Sequence, residues 1–224
     1  DWMLPALSGI EVCRQIRRCR PAVLAGPPSL LSSLMDNPAF SALDFSALDY
    51  CICGAEPFPE EARQGLERII GPGKGMEVYG LTETCGLIAA NPCRGRREPG
   101  SIGLPLTNTD IRLIAPATGK PSALGQPGEI CVDGPQVMAG YHNRPKETRQ
   151  SFDAAGYFHT GDMAVQDVHG YLRLVDRTMD MIRAGGFTVF SLKVEEVLCR
   201  HPAVHRAAAI GAADPEKPET MVVK

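Results

Sequence analysis

Three short segments set hydroxyl, carboxylate and guanidinium groups beside glycines. The first is Tyr79-Gly-Leu-Thr-Glu-Thr84, in which Thr82, Glu83 and Thr84 offer two hydroxyls and a carboxylate on consecutive positions. Hydroxyls donate to phosphate oxygens, and a carboxylate ligates Mg²⁺, a hard cation that prefers oxygen. The same residues serve as a helix N-cap, Thr82 followed by acidic Glu83, and the sequence leaves both readings open. A strand is expected to end at Tyr79, with Gly80 letting the backbone turn. The second segment is Gly156-Tyr-Phe-His-Thr-Gly-Asp162. A carboxylate after a glycine turn can accept from both hydroxyls of a ribose, as acidic residues do in dinucleotide sites; it can also simply close the turn. The third is Asp176-Arg177-Thr-Met-Asp180 with Gly185-Gly186 beyond it. Arg177 stands where one texture of sequence ends and another begins, so it can reach a ligand held there. A diglycine admits a phosphate or thiol ligand close to the backbone. An ion pair and a turn are the plain alternative. Gly71-Pro-Gly-Lys-Gly75 lacks the spacing of a phosphate-binding loop and is expected to be an ordinary connection.

The elements that must carry these groups follow from periodicity. Ser8-Gly-Ile-Glu11 reads as a capping box, with Ile10, Cys13 and Ile16 at helical spacing and Arg14, Arg17 and Arg18 on the wet face. Residues 22–25 read as a short buried strand, 29–35 as a helix and 50–53 as a strand. Residues 59–70 read as a helix with Glu60 and Glu61 at its positive end and Leu66, Ile69 and Ile70 inward. A strand over 76–79 completes a strand–helix–strand alternation, which implies an α/β layer with parallel pairing. From about Gly100 short β-like runs at 110–114, 129–132, 163–165 and 171–175 are separated by Gly, Pro and Asp/Asn turns. After Arg177 the texture changes again: a strand over 188–190, a helix capped by Ser191 with Val194, Val197 and Leu198 inward, and a strand over 206–211.

Composition bounds what such a chain can be. Its 224 residues are 44% hydrophobic with a formal net charge of −3, enough to bury a core and too apolar for disorder. Without a basic surplus there is no footprint for nucleic acid. The longest charge-free stretch, 21–35, carries three prolines and is too short to span a bilayer, and the first residues lack the features of a signal peptide. A cytoplasmic location, compatible with peripheral contact at a membrane, is expected. The cysteines at 13, 19, 51, 53, 85, 93, 131 and 199 are scattered. Cys51 and Cys53 are expected to point apart on their strand. No C-x2-C pair or accompanying histidine cluster is visible, which argues against zinc and for free thiols.

Taken together, the motifs resemble the AMP-forming acyl-CoA synthetases of the adenylate-forming superfamily, along essentially the whole chain. The resemblance rests on Cys53-Gly-Ala-Glu-Pro57, Tyr79-Gly-Leu-Thr-Glu-Thr84, Gly128-Glu-Ile-Cys-Val-Asp-Gly134 with Gly140-Tyr141, Thr160-Gly-Asp162, and Val175-Asp-Arg-Thr-Met-Asp-Met-Ile182 with Gly185-Gly-Phe-Thr-Val-Phe190. The flavour is that of long-chain fatty-acid–CoA ligases. The fold it implies is α/β: the C-terminal part of a large adenylate-forming domain, with a parallel α/β layer (1–98) and a β-rich, barrel-like part (99–177), then the start of a small mobile α+β domain (178–224). The implied substrates are a carboxylic acid, ATP and CoA, with Mg²⁺. By the same resemblance Gly54, Ala55 and Glu56 line the adenine site, Tyr79 stacks on adenine with Gly80 beside it, Thr82 holds phosphate and Glu83 binds Mg²⁺. Asp162 and Arg177 hold the ribose, Leu174 packs nearby, Met179 is the hinge, and Gly185, Gly186 and Phe187 line the pantetheine path. Loading of a carrier protein instead of CoA, or a non-catalytic nucleotide-binding remnant, are the alternatives.

The chain departs from the family pattern in several ways. The Ser/Thr/Gly-rich phosphate loop and the C-terminal lysine of the family are absent from it. Met179 stands where Lys or Asp is usual, and Ser191 where Pro is common. The expectation is therefore an internal fragment of a synthetase, inactive on its own.

Overall fold

The computed structural model describes residues 9–56, 58–177, 181–184, 187–201, 203–204, 207–213 and 221–223. The chain divides into two units. One holds the described residues up to Thr82 together with Gly86–Leu104, and the other holds Glu83–Cys85 and the described residues from Pro105 onward.

The first unit is built on helices α1 (Gly9–Cys19), α2 (Pro28–Met35), α3 (Pro38–Ser41) and α4 (Glu60–Ile70) and strands β1 (Val23–Gly26), β2 (Tyr50–Cys53), β3 (Gly75–Leu81) and β4 (Gly86–Ala90). β5 (Leu104–Pro105) closes the sheet order β1-β2-β3-β4-β5. β1, β2 and β3 run parallel, while β4 folds back antiparallel to β3. Parallel neighbours need crossover connections, and the helical stretches between β1 and β2 and between β2 and β3 supply them. The buried cluster joins Cys13 and Ile16 of α1, Leu31 and Leu34 of α2, Leu66 and Ile70 of α4, and Cys51 and Cys53 of β2 around Phe40 and Phe45. The two Phe rings lie 5.1 Å apart at 60°, a tilted arrangement that adds to their area burial. Emptying a site as buried as that of Phe40 costs about 3–5 kcal/mol.

Three expectations change here. Cys51 and Cys53 do not point apart: two residues separate on a strand to the same face, and both are buried. Val23 is 47% exposed, because β1 is the last strand on its side of the sheet. Ile10 is likewise exposed, so the buried stripe of α1 is narrower than its spacing suggests.

The second unit contains a five-stranded antiparallel sheet in the order β10-β9-β8-β6-β7. Its strands are β6 (Asp110–Ala115), β7 (Lys120–Pro121), β8 (Gly128–Asp133), β9 (Phe158–Gln166) and β10 (Leu172–Arg177), with a short helix α5 (Pro145–Gln150) between β8 and β9. Ile130, Cys131 and Val132 of β8 are completely buried, as are Ala164 and Leu172. Two hairpins and a helix follow: β11 (Ile182–Ala184) with β12 (Phe187–Val189), then α6 (Ser191–Cys199), then β13 (Gly211–Ala213) with β14 (Met221–Val223). Ser191 is the first helical residue rather than the cap, and Val197 and Leu198 are exposed instead of inward. The last expected strand begins only at Gly211, since 207–210 are irregular. The start of α6 is fastened by Asp176, whose two oxygens accept the Ser191 N–H at 2.6 Å and its O–H at 2.9 Å. Among the described residues no helix is long and apolar enough to cross a membrane.

Candidate functional site

In the first unit, Gly54, Ala55 and Glu56 follow directly on β2. A Cβ on Gly54 would stand 2.8 Å from Val78 Cγ2 and 3.1 Å from the Val78 carbonyl, so only glycine lets β2 leave the sheet this close to β3. Ala55 holds φ +73, a conformation that a non-glycine residue adopts at some cost and that clusters at ligand sites. Glu56 is tied to the first turn of α2: its Oε2 accepts the Ser29 N–H at 3.1 Å and its Oε1 the Ser29 hydroxyl at 3.0 Å. Nothing in the local sequence announces that bond, which joins residues 27 positions apart.

Tyr79 is buried at 8% exposure. The strand does not end there. It runs to Leu81 and is bulged against β4 between Tyr79 and Gly80. Gly80 is therefore not a turning residue; a Cβ on it would overlap the Gly86 carbonyl, so its role is close approach of β3 to β4. Thr82 is exposed and opens a single 3-10 turn, Thr82–Thr84, rather than an α-helix. An N-cap of a longer helix is thereby excluded.

Glu83 belongs to the second unit. Its backbone carbonyl accepts the Met138 N–H at 2.8 Å, and its Oε1 accepts the Tyr141 hydroxyl at 3.0 Å. Among the described residues Oε2 has no hydrogen-bond partner. One hard oxygen, half-exposed and held in place through its twin, suits a Mg²⁺ ion that keeps most of its waters and completes its shell with phosphate. Burial, followed by the bond to the Glu83 carboxylate, raises the Tyr141 phenol above its usual value, so it is a donor throughout the physiological range. The sequence singled out Gly140-Tyr141 only as a motif; its role is visible once Tyr141 meets Glu83 across 58 residues.

Asp162 and Arg177 are brought together. They are register partners on β9 and β10, and Arg177 Nε lies 3.3 Å from Asp162 Oδ1. Asp162 is buried at 9%, whereas the Arg177 side chain is 71% exposed. The position of Asp162 is set by a bulge. Glu129 pairs with Met163 and Cys131 with His159, so 160–162 bow out opposite Ile130 alone. Gly161 takes φ +77 in this bow. Three bonds pin it: Thr160 Oγ1 to the Ile130 carbonyl at 2.9 Å, Gly161 N–H to Glu129 Oε1 at 3.1 Å, and Asp162 N–H to Thr160 Oγ1 at 3.1 Å. None of the three uses the Asp162 carboxylate. Leu174 lies on β10 just before a second irregularity in the register, between it and Asp176.

Met179, Gly185 and Gly186 lie outside the described residues. Phe187 opens β12. Contrary to the expectation from sequence, a cysteine does meet a histidine: Cys131 Sγ sits 3.5 Å from His159 Nδ1, because β8 and β9 are neighbours.

The model of the AMP-binding enzyme family matches residues 5–142, and the chain belongs to that family. It is 36% identical over 219 residues to the long-chain-fatty-acid–CoA ligase of Bacillus subtilis (strain 168), across 98% of this chain and 39% of the relative. It is 35% identical over 206 residues to a feruloyl-CoA synthase of Amycolatopsis sp, across 91% of this chain and 41% of that protein. The crystal structure of ATP-bound MatB from Rhodopseudomonas palustris superposes with a TM-score of 0.89 at 29% identity, covering 99% of this chain and 43% of that one. The chain thus spans about two fifths of the length of the relatives it matches.

Proposed function

We propose that the protein carrying this chain joins a carboxylic acid to ATP, releasing pyrophosphate, and passes the acyl group from the resulting acyl-adenylate to the thiol of CoA, releasing AMP. The observation that carries the reading is the Asp162–Arg177 pair, a carboxylate and an exposed guanidinium set side by side on a bulge that backbone and Thr160 bonds hold in place. Asp162 accepts from the ribose hydroxyls, and the exposed Arg177 guanidinium holds the carboxylate in place and reaches the nucleotide itself. Leu174 packs near the ribose. Gly54, Ala55 and Glu56 line the adenine largely by backbone, Tyr79 provides its stacking surface, and Gly80 keeps that surface close to β4. The Thr82 hydroxyl donates to phosphate, and Glu83, steadied by Tyr141, is the protein's ligand to Mg²⁺. That ion, when bound, neutralises charge that develops on the phosphates. Most of the rate then comes from positioning and charge neutralisation. Met179 takes the hinge role, and Gly185 to Phe187 serve the pantetheine arm.

A fatty acid is the substrate class we favour, since a long-chain-fatty-acid–CoA ligase is among the most similar relatives. The test is acyl-thioester formation by the intact protein, followed by mass spectrometry, with fatty and aryl acids and with CoA or a phosphopantetheinylated carrier as acceptor. Acyl-CoA from a fatty acid supports the reading. Aryl-CoA alone would correct the substrate, and acyl-carrier alone would correct the acceptor.

A further inference from the structure

We propose that Glu129, Cys131 and His159 form a site for a borderline-soft divalent cation, zinc, separate from the Mg²⁺ ligand Glu83. The ligand atoms of the three residues all lie within 4.8 Å of one another. His159 Nδ1 is 3.0 Å from Glu129 Oε2 and 3.5 Å from Cys131 Sγ. Two ligand atoms bound tetrahedrally to zinc at its usual bond lengths stand roughly 3.3–3.6 Å apart, so the two pairs that His159 makes already lie within a few tenths of an ångström of that spacing.

The arrangement comes from the sheet. Glu129 and Cys131 are two apart on β8 and share a face, and Cys131 is the register partner of His159 on β9. The Glu129 carboxylate is already oriented, since Oε1 accepts the Gly161 N–H at 3.1 Å and Oε2 is turned to His159. An outer bond of this kind is what fixes a carboxylate ligand. A thiolate, an imidazole and a carboxylate select zinc over Mg²⁺ or Ca²⁺, which take oxygen shells. Three protein ligands leave a fourth position for water. Entry is from the His159 and Glu129 side, whose side chains are 30% and 15% exposed, while Cys131 lies beneath them. Binding breaks the Cys131 S–H bond, forms Zn–S and gives the proton to solvent, with no change of oxidation state. The bare thiol is pushed up to about 12 by burial and by Glu129 and Asp153, so the metal-free site rests as a protonated cysteine beside a His159–Glu129 contact.

The test uses the full chain with the exposed Cys19, Cys85 and Cys93 changed to Ser, stripped with chelator and titrated with Co²⁺ as a visible stand-in, then with Zn²⁺. The expected result is one equivalent of Co²⁺ with a sulfur-to-cobalt charge-transfer band, displaced by Zn²⁺. Cys131→Ser removes the band, and Cys131→Ser and His159→Gln each lower affinity at least tenfold. Gly161 amide exchange slows on loading, because Glu129 then holds both the ion and that N–H. His159 is partly exposed, so His159→Gln remains informative if the buried Cys131→Ser variant fails to fold; circular dichroism reports which has folded. No saturable binding, a charge-transfer band that survives Cys131→Ser, or affinity unchanged in folded His159→Gln overturns the site.

Discussion

Asp162→Asn removes a charge while keeping shape, and the structure allows its two effects to be separated. The share of the loss to the fold that comes from Arg177 is small. Asp162 faces an Arg177 side chain that is 71% exposed, and pairs with that much solvent contribute about 0.2–1 kcal/mol. The bulge bonds of Thr160, Gly161 and the Asp162 N–H do not involve the carboxylate and stay in place. The loss to the ligand is larger. Hydrogen bonds to a charged acceptor contribute roughly 1.5–3 kcal/mol, so Asn weakens ATP by about one to two decades. The assay is equilibrium binding of ATP and of its 2′,3′-dideoxy analogue to the intact native and variant proteins, with urea unfolding alongside. The native protein loses affinity for the analogue, and the variant scarcely distinguishes the two nucleotides. The cycle then shows a coupling of about 1.5 kcal/mol or more. Strictly additive losses would remove Asp162 from the ribose and leave Thr160–Asp162 as a turn with no ligand role.

Gly80→Ala forces a Cβ into the Gly86 carbonyl of the adjacent strand and costs about 3 kcal/mol or more in urea unfolding; a loss below about 1 kcal/mol refutes the close-approach role. Asp176→Ala strips the buried acceptor from the Ser191 N–H and O–H and from the Arg177 N–H at 2.8 Å, and costs about 3 kcal/mol by the same measurement. Retention of native stability would show that α6 is not fastened there. Tyr141→Phe removes the hydroxyl that steadies Glu83, so half-saturation by Mg²⁺ in the adenylation assay rises severalfold. Because the folded phenol is raised above its usual value of about 10, its bond stabilises fully below that pH and is lost as pH climbs through the folded value. The stability gap between native and Tyr141→Phe therefore persists at pH 8 and closes in strong alkali; a gap that widens with pH contradicts the assignment.

Local pattern made much of this fold legible. The strand at Tyr50–Cys53 and the helix ending at Ile70 stand where alternation, a proline start and helical spacing put them, because each is decided within a few residues. What was not legible depends on register. That Asp162 stands beside Arg177 follows from how β9 and β10 pair, and the bulge that aims it is held by Glu129 on a third strand. Glu56 finds Ser29, and Cys131 finds His159, over separations that no periodicity encodes. Exposure failed in a similar way. Val23, Val197 and Leu198 are apolar at the right spacing, yet among the described residues nothing covers them enough to bury them.

The central claim is that the intact protein activates a carboxylic acid as an adenylate using Glu83 and Asp162. Exchange of labelled pyrophosphate into ATP tests it most directly, since the label returns only through reversal of acyl-adenylate formation. The account predicts exchange that requires both Mg²⁺ and a carboxylic acid and that falls by about 10²–10³ in Glu83→Ala. Exchange independent of added acid, or undiminished in Glu83→Ala, would contradict it.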